Sequence, residues 1–454
     1  MTDRLFGTDG VRGEANLDLT PELCLSIARA AAATKANPGD VVIIGMDTRK
    51  SGPMLESALA AGFSASGMNV LLAGVIPTPA ISFLIEDERA ALGAVISASH
   101  NPPQDNGIKL FDHRGMKLSV EEEEKIEGRI GEGIGYSGKP GTISPLPAAA
   151  SRYAAFLTGA IDVEDIDLAG IRIVVDCAHG ATGAIAPRVL RHLNAEVIEL
   201  HTSPAGEKIN QGCGSTHLEP LRAAVLERGA ELGIAFDGDG DRVLLVSSTG
   251  QTIDGDQMMG VLALHRQRAG RLNPPLIVAT VMSNLGLEET LRKNGISLLR
   301  TPVGDRNVAR AMITNKAKIG GEQSGHIILP DHSPTGDGIL TSVKLLELAH
   351  SCEKDLASLA AAISSYPQVK EDVTVQDKQA VLQDPSINGL IEQLQRELGN
   401  TGRILVRASG TQPVIRIMVE GKDESHCRRI CNRLTDAIDT FGKGSLTARR
   451  RTDT

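Results

Sequence analysis

Short apolar, β-branched runs recur along the chain, and each is followed by a stretch whose apolar residues return every three or four positions. The runs Val41–Gly45, Val70–Leu72, Ala91–Ile96, Ile171–Asp176, Glu196–Leu200, Leu232–Phe236 and Leu276–Thr280 read as strands. The stretches Pro21–Ala33, Gly52–Ser66, Ala184–Leu193, Glu219–Gly229 and Leu285–Asn294, rich in Ala, Leu, Glu and Arg, read as helices. Strand alternating with helix predicts α/β units with largely parallel strands. The pattern restarts near Val41, Ile171 and Leu276, which predicts two or three related α/β domains in series. Joints are expected at the Gly/Pro/Ser-rich stretch Gly131–Pro147, near Gly250–Asp256 and at Ser364–Val369. Beyond Val369 the order changes. Strands at Asp372–Val375, Gly402–Arg407 and Val414–Glu420 around helices at Ser386–Leu398 and Asp423–Phe441 predict a smaller α+β domain, with a disordered basic tail at Ala448–Thr454.

Composition sharpens this picture in three ways. A chain of 454 residues is long enough for about three or four domains. With no Trp and only 2% aromatics, their cores must be aliphatic. The net charge of −9 argues against a chain-wide electrostatic grip on nucleic acid or on an anionic membrane, and leaves room only for a local basic pocket. Six scattered cysteines are too few for a disulfide scaffold; Cys427 and Cys431 lie four apart on a helical stretch, without a second pair at zinc-ligand spacing. The opening MTDRLFGTDGVRG has no apolar signal region, and no internal apolar run is long enough to span a bilayer, so a soluble cytoplasmic protein is expected.

Four polar segments interrupt the pattern. Asp237-Gly-Asp239-Gly-Asp241-Arg242 follows the run Leu232–Phe236 directly. Three carboxylates at alternate positions crowd together only around a neutralising charge, and a hard divalent cation with oxygen ligands supplies one. An exposed acidic turn would explain neither the glycines nor the strand before it. A calcium EF-hand would need Gly where Arg242 stands and Glu where Ser248 stands. Magnesium or a relative is therefore the expected ion. Ser97-Ala98-Ser99-His100-Asn101-Pro102 follows another strand, at the end where α/β sheets place ligands. Taken alone the letters spell an ordinary Ser/Asn/Pro turn; the other reading makes Ser99 a catalytic hydroxyl beside a proton-exchanging His100. Arg407-Ala-Ser409-Gly410-Thr411-Gln-Pro-Val-Ile-Arg416 offers backbone, hydroxyl and guanidinium donors to one anion, as a phosphate cradle does; a strand turn with surface arginines is the alternative. Gly320-Gly-Glu322-Gln-Ser324-Gly-His326 matches the donors and acceptors of a sugar ring, or is simply a polar loop.

Taken in order with Thr8-Asp-Gly-Val-Arg12-Gly13, Gly45-Met-Asp-Thr-Arg49 and Asn106-Gly-Ile-Lys109, these segments resemble the α-D-phosphohexomutase superfamily over nearly the whole chain. The resemblance implies four domains around a central cleft, three α/β and a smaller α+β, here at 1–148, 149–252, 253–366 and 367–454. It implies that Ser99 carries the phosphoryl group and that Asp237, Asp239 and Asp241 bind Mg²⁺, one ion per active site, together with it. It places Arg12, His100 and Lys109 around the transferring group, with Lys109 an acid/base. Glu322, Ser324, His326 and Arg242 would meet the sugar phosphate, and Arg407, Ser409, Gly410, Thr411 and Arg416 the phosphate that does not react. Phe6–Gly13 and Gly321–His326 are most similar to the bacterial phosphoglucosamine mutases. That branch implies interconversion of glucosamine 6-phosphate and glucosamine 1-phosphate, a priming glucosamine 1,6-bisphosphate, a route to UDP-N-acetylglucosamine and peptidoglycan, and often a homodimer. Mannose or glucose phosphates, or a phosphosugar-binding protein without turnover, remain the competing readings. Pro302 and Asn307 depart from the Lys and Tyr common in the family, and Gln412 from the commoner Glu.

Overall fold

Leu92–Ile96 is buried along its whole length, as a central strand must be. It pairs in parallel with Val41–Met46, which continues to Asn69–Val75 and Ile143–Pro145. On its other side it pairs antiparallel with Asp105–Asp112, and that strand with Val11–Glu14. The computed structural model describes residues 4–7, 9–132, 138–163, 166–409 and 413–452. They divide into one unit of residues 1–283 with 291–362 and a second of 284–290 with 363–454.

The first unit carries two further sheets. One runs Thr252–Ile253, Val243–Ser247, Leu232–Phe236, Arg172–Asp176, Glu196–Leu200, with the last three strands parallel. The other runs Ser297–Thr301, Leu276–Thr280, Gly320–Gly321, Ile327–Ile328. Each sheet thus has the expected parallel centre but at least one antiparallel edge, because a chain turning back through a short loop can only pair antiparallel. The stretch expected as the joint Gly131–Pro147 contains the strand Ile143–Pro145, and the joint at 250–256 contains the strand Thr252–Ile253 and the start of the helix Gly255–Arg268.

In the second unit, Gln368–Thr374, Val414–Gly421 and Gly402–Ala408 form an antiparallel sheet with helices Pro385–Leu398 and Glu424–Thr452. Its core is aliphatic, with Val369, Ile387, Leu394, Ile415, Ile417 and Ile430 among its members. The last helix runs to Thr452, so the expected disordered tail is corrected as far as that residue, 453–454 lying outside the described residues; Ala448–Arg451 has no helix breaker. All six cysteines are free. Among the described residues no helix is long and apolar enough to cross a membrane.

Asp337 caps the helix Gly338–Ser351 through Leu340 N at 2.9 Å and accepts a hydrogen bond from Tyr153 Oη at 2.7 Å. Burial raises its carboxyl to about 6, against the partial offset of these hydrogen bonds. A raised carboxyl weakens the fold as pH climbs from the unfolded value near 4 to about 6, because only the unfolded state then gives up its proton freely. Asp337→Asn keeps the cap and removes that penalty. The variant should exceed the native chain by on the order of 3 kcal/mol at pH 7 and match it below pH 4, read from denaturant midpoints. A gap that does not change with pH would refute this.

Candidate active site

The hairpin between Leu92–Ile96 and Asp105–Asp112 carries Ser99 at its tip, and the register sets what stands beside it. Lys109 lies opposite Val95, and Arg12 lies opposite Gly107 on the next strand. Ser99 itself has φ +52°, a left-handed conformation that costs a non-glycine residue about 1 kcal/mol or more. The loop is held there from below. Arg49, fully buried, donates from Nη2 to the carbonyl oxygens of Ser99 at 3.1 Å and Asn101 at 2.8 Å, and from Nη1 to those of Asp105 at 2.7 Å and Pro102. Its Nε pairs with buried Asp47 at 2.9 Å, and Asp47 accepts from Ser97 Oγ at 2.6 Å. Asn210 Nδ2 donates to the same Ser99 carbonyl at 2.8 Å and to Asn101 O at 3.0 Å.

The second hairpin, Leu232–Phe236 to Val243–Ser247, brings its loop Asp237–Arg242 against that serine. Ser99 Oγ donates to Asp237 Oδ2 at 2.6 Å, and His100 Nδ1 is 3.4 Å from the same hydroxyl. The two glycines of the loop are sterically required: a Cβ on Gly238 would stand 2.7 Å from Ser99 O, and Gly240 has φ +71°. Asp237, Asp239 and Asp241 are all buried and offer oxygens within 4.8 Å of one another. Burial, and then Asp241 and Asp239, push the Asp237 carboxyl well above the usual range. Lys109 Nζ partly neutralises the cluster from 2.7 Å at Asp239, 3.3 Å at Asp9 and 3.5 Å at Asp241. Burial opposes the ammonium, but these carboxylates outweigh it and hold the lysine above its ordinary value.

A divalent cation fits this donor set. Asp239 Oδ1 and Asp241 Oδ1 are buried without a hydrogen-bond partner, although each such atom costs about 1–3 kcal/mol when left unsatisfied.

Arg12 reaches Asn101 Oδ1 at 3.0 Å and Asp9. Arg242 donates its N–H to Asp237 Oδ1 at 3.2 Å. Burial, and then Arg242 and Arg12, bring the His100 imidazole down to about 4, so it is neutral at pH 7. On the Gly320–His326 loop, Glu322 Oε1 accepts from Gly304 N at 3.0 Å and Ser324 Oγ lies 3.4 Å from Glu322 Oε2. His326 turns inward, 3.7 Å from Asp241 and 3.8 Å from Asp305, and is only 2% exposed, so it braces the aspartate loop. Asn307 lines a cavity of about 240 Å³ with Lys117, Asp305 and His326. In the second unit Arg407 and Arg416 are directly opposite across the antiparallel pair, and Arg416 lies 3.5 Å from Asp372. Two like charges in that register repel, which an anion between them would relieve. Ser409 N bonds Val414 O at 3.0 Å; Gly410 and Thr411 lie outside the described residues.

Comparison with known proteins decides the family. The four parts described as "Phosphoglucomutase/phosphomannomutase", namely α/β/α domains I, II and III and the C-terminal domain, match residues 3–135, 151–250, 254–366 and 372–437. The chain belongs to the phosphoglucomutase/phosphomannomutase family. Within it, the chain is 46% identical to the phosphoglucosamine mutase of Salinispora arenicola, covering 96% of this chain and 98% of that one. It is 47% identical to that of Pelotomaculum thermopropionicum, covering 96% and 98%. A family protein from Burkholderia thailandensis has the same fold, with TM-score 0.81 and 26% identity over 96% and 98% of the two chains.

Sequence spacing pointed to the aspartates but not to Arg49 or Asn210 as supports of the serine loop. In this family member Arg49→Met would leave the carbonyls of Pro102 and Asp105 without this donor, leave those of Ser99 and Asn101 to Asn210 alone, and strip buried Asp47 of its counter-charge. The expected loss is about 3–5 kcal/mol of stability in chemical denaturation, with a fall in turnover. Arg49→Lys should restore only part of both, since an ammonium cannot reach the same fork of acceptors. Stability within about 1 kcal/mol of the native chain in Arg49→Met would remove Arg49 from this role.

Proposed function

We propose that this chain interconverts glucosamine 6-phosphate and glucosamine 1-phosphate through a phosphoserine at Ser99 and a bisphosphorylated sugar. The observation that carries the reading is the Ser99 hydroxyl at 2.6 Å from Asp237, inside a buried three-carboxylate loop. The names of relatives 46–47% identical over almost the full length support the choice of sugar.

Asp237, Asp239 and Asp241, with the seryl phosphate, would hold one Mg²⁺. When bound, that ion would neutralise the carboxylates and draw charge from the transferring phosphoryl oxygens. The rest is done by the chain. The phosphorus–oxygen bond to Ser99 breaks as one forms to a sugar hydroxyl, whose proton needs an acceptor. His100, neutral at pH 7 and 3.4 Å from the serine oxygen, is that acceptor. Lys109 and Arg12 face the developing charge as cations, and Lys109 can return a proton to the serine oxygen. Glu322 and Ser324 hold sugar hydroxyls, His326 steadies Asp241, and Arg242 sits by the transferring group. Arg407, Ser409, Gly410, Thr411 and Arg416 grip the phosphate at the unreacting end. After the bisphosphate turns over, the same steps in reverse leave the isomeric monophosphate and rephosphorylate Ser99. A priming sugar 1,6-bisphosphate would charge the serine first, in the cytoplasm where sugar phosphates are found.

The test is turnover of glucosamine 6-phosphate, mannose 1-phosphate and glucose 1-phosphate after such priming in Mg²⁺. The highest kcat/KM is expected for the glucosamine phosphate. A preference for mannose 1-phosphate would overturn the sugar assignment, and free phosphate released as fast as isomer would indicate a phosphatase.

A further inference from the structure

Asp176 and His201 stand at the C-terminal ends of two adjacent parallel strands, Arg172–Asp176 and Glu196–Leu200, one strand removed from the aspartate loop. Ligands collect at this end of a parallel sheet. Cys213, wholly buried, comes up against the same carboxylate because Gly214 N donates to Asp176 Oδ2 at 2.9 Å. Ala178 N donates to Asp176 Oδ1 at 2.9 Å, so the carboxylate is fixed in place with a lone pair of each oxygen still available. One carboxylate oxygen, one imidazole nitrogen and the sulfur lie within 4.8 Å of one another.

His201 Nδ1 is buried and 3.1 Å from Asp176 Oδ2, close enough for that carboxylate to hold the imidazole above its ordinary value, although the N–H is poorly aligned with it. The ring is held in that attitude by His179, which meets it edge-on at 5.0 Å and is itself tied to Ser203 O by Nδ1 at 3.0 Å. A buried ring nitrogen poorly aligned with the carboxylate beside it, with a thiol in the same cluster, is a donor set that a metal ion can satisfy.

We propose that Asp176, His201 and Cys213 form a second cation site, for a borderline-soft divalent transition ion such as Zn²⁺. One oxygen, one nitrogen and one sulfur ligand suit zinc, and the part-exposed edge of His201 leaves a fourth position for water. Magnesium, which prefers oxygen ligands alone, is excluded by the sulfur. Burial pushes the Cys213 thiol up to about 12, so binding exchanges its proton for the ion: the S–H bond breaks, the S–metal bond forms, and one proton goes to solvent. The site adjoins the catalytic loop through Ala178 O, which accepts from Asn210 N at 3.0 Å, and Asn210 in turn holds the Ser99 carbonyl.

The probe is Co²⁺, titrated into the full chain with Mg²⁺ in large excess to keep the three aspartates filled. One equivalent should raise a thiolate-to-cobalt charge-transfer band, which no site built of oxygen alone can give, and Zn²⁺ should displace it. Cys213→Ser should lose the band. His201→Asn, at a part-exposed position that does not threaten folding, should weaken Co²⁺ binding at least about tenfold, as loss of even an outer partner does. Cys352→Ser, which removes the thiol 3.7 Å from His265 Nδ1, should leave the band unchanged. No band in the native chain, or a band that survives in Cys213→Ser and His201→Asn, would overturn the proposal.

Discussion

Ser99→Ala is expected to leave a folded protein whose turnover is down by a factor on the order of 10³ or more, with no phosphate found on residue 99 by mass mapping. The size follows from the chemistry: without a carrier oxygen there is no covalent route, and the sugar's two ends cannot exchange a phosphoryl group through the enzyme. Folding should survive. The hydroxyl makes one strong hydrogen bond, to Asp237, which keeps its other hydrogen bond, from Arg242 N at 3.2 Å, when the hydroxyl is removed. Ser99→Gly adds a finer test. At φ +52° a glycine relieves backbone strain that alanine keeps, so the glycine variant should be at least as stable as the alanine variant in denaturant while equally inactive. Retention of more than about a tenth of native turnover in either variant, or a phosphate mapped elsewhere in the native enzyme, would take Ser99 out of the mechanism.

Much of this was open to reading from pattern because strand and helix differ so plainly in period here. Glu196–Leu200, Leu232–Phe236 and Leu276–Thr280 are strands with the ends the pattern predicts. What pattern does not carry is direction. Val243–Ser247 is as apolar as its neighbours, but nothing local says that it returns antiparallel to Leu232–Phe236. The loop Asp237–Arg242 reads as a set of ligands, and the same six residues are also a hairpin connection. Asp105–Asp112 is masked further by Lys109, a charge on a buried strand that makes sense only beside Asp239.

The site divides along the same line. Three aspartates spaced by glycines announce themselves, because their chemistry lies within six residues. Arg49 and Asn210 do not, because their partners are main-chain carbonyls 50 and more positions away, which any residue would supply. His326 falls between the two: its motif marks the loop correctly, but only the fold shows the ring turned inward to Asp241. Asp176, His201 and Cys213 are invisible for the most basic reason. They share no motif and meet only at the ends of neighbouring strands.

Asp237→Asn should abolish the response to Mg²⁺ while leaving the metal-free fold almost unchanged, and the contrast with Asp239→Asn explains why. Like charges about 4 Å apart cost about 4 kcal/mol per pair at an effective dielectric near 20, so three bare carboxylates cannot coexist in this loop. Without metal the conflict is eased in two ways: burial and the neighbouring aspartates push the Asp237 carboxyl well above its usual range, and Asp239 takes the Lys109 ammonium at 2.7 Å. An asparagine at 237 keeps an acceptor for Arg242 N and a partner for Ser99 Oγ while removing one of the three crowded charges, so stability should move by less than about 1 kcal/mol. An asparagine at 239 instead removes the nearest counter-charge of a buried lysine and should cost about 3 kcal/mol or more. With Mg²⁺ at a hundred times its dissociation constant, the native chain should gain about 2.7 kcal/mol and Asp237→Asn almost nothing. Turnover should fall on the order of 10³-fold in both variants, and chelation should stop the native enzyme until Mg²⁺ is returned. Thermal melts with and without Mg²⁺ decide the matter: a full Mg²⁺ shift in Asp237→Asn would mean that the ion is not held by this carboxylate, and that the orphaned oxygens of Asp239 and Asp241 need another explanation.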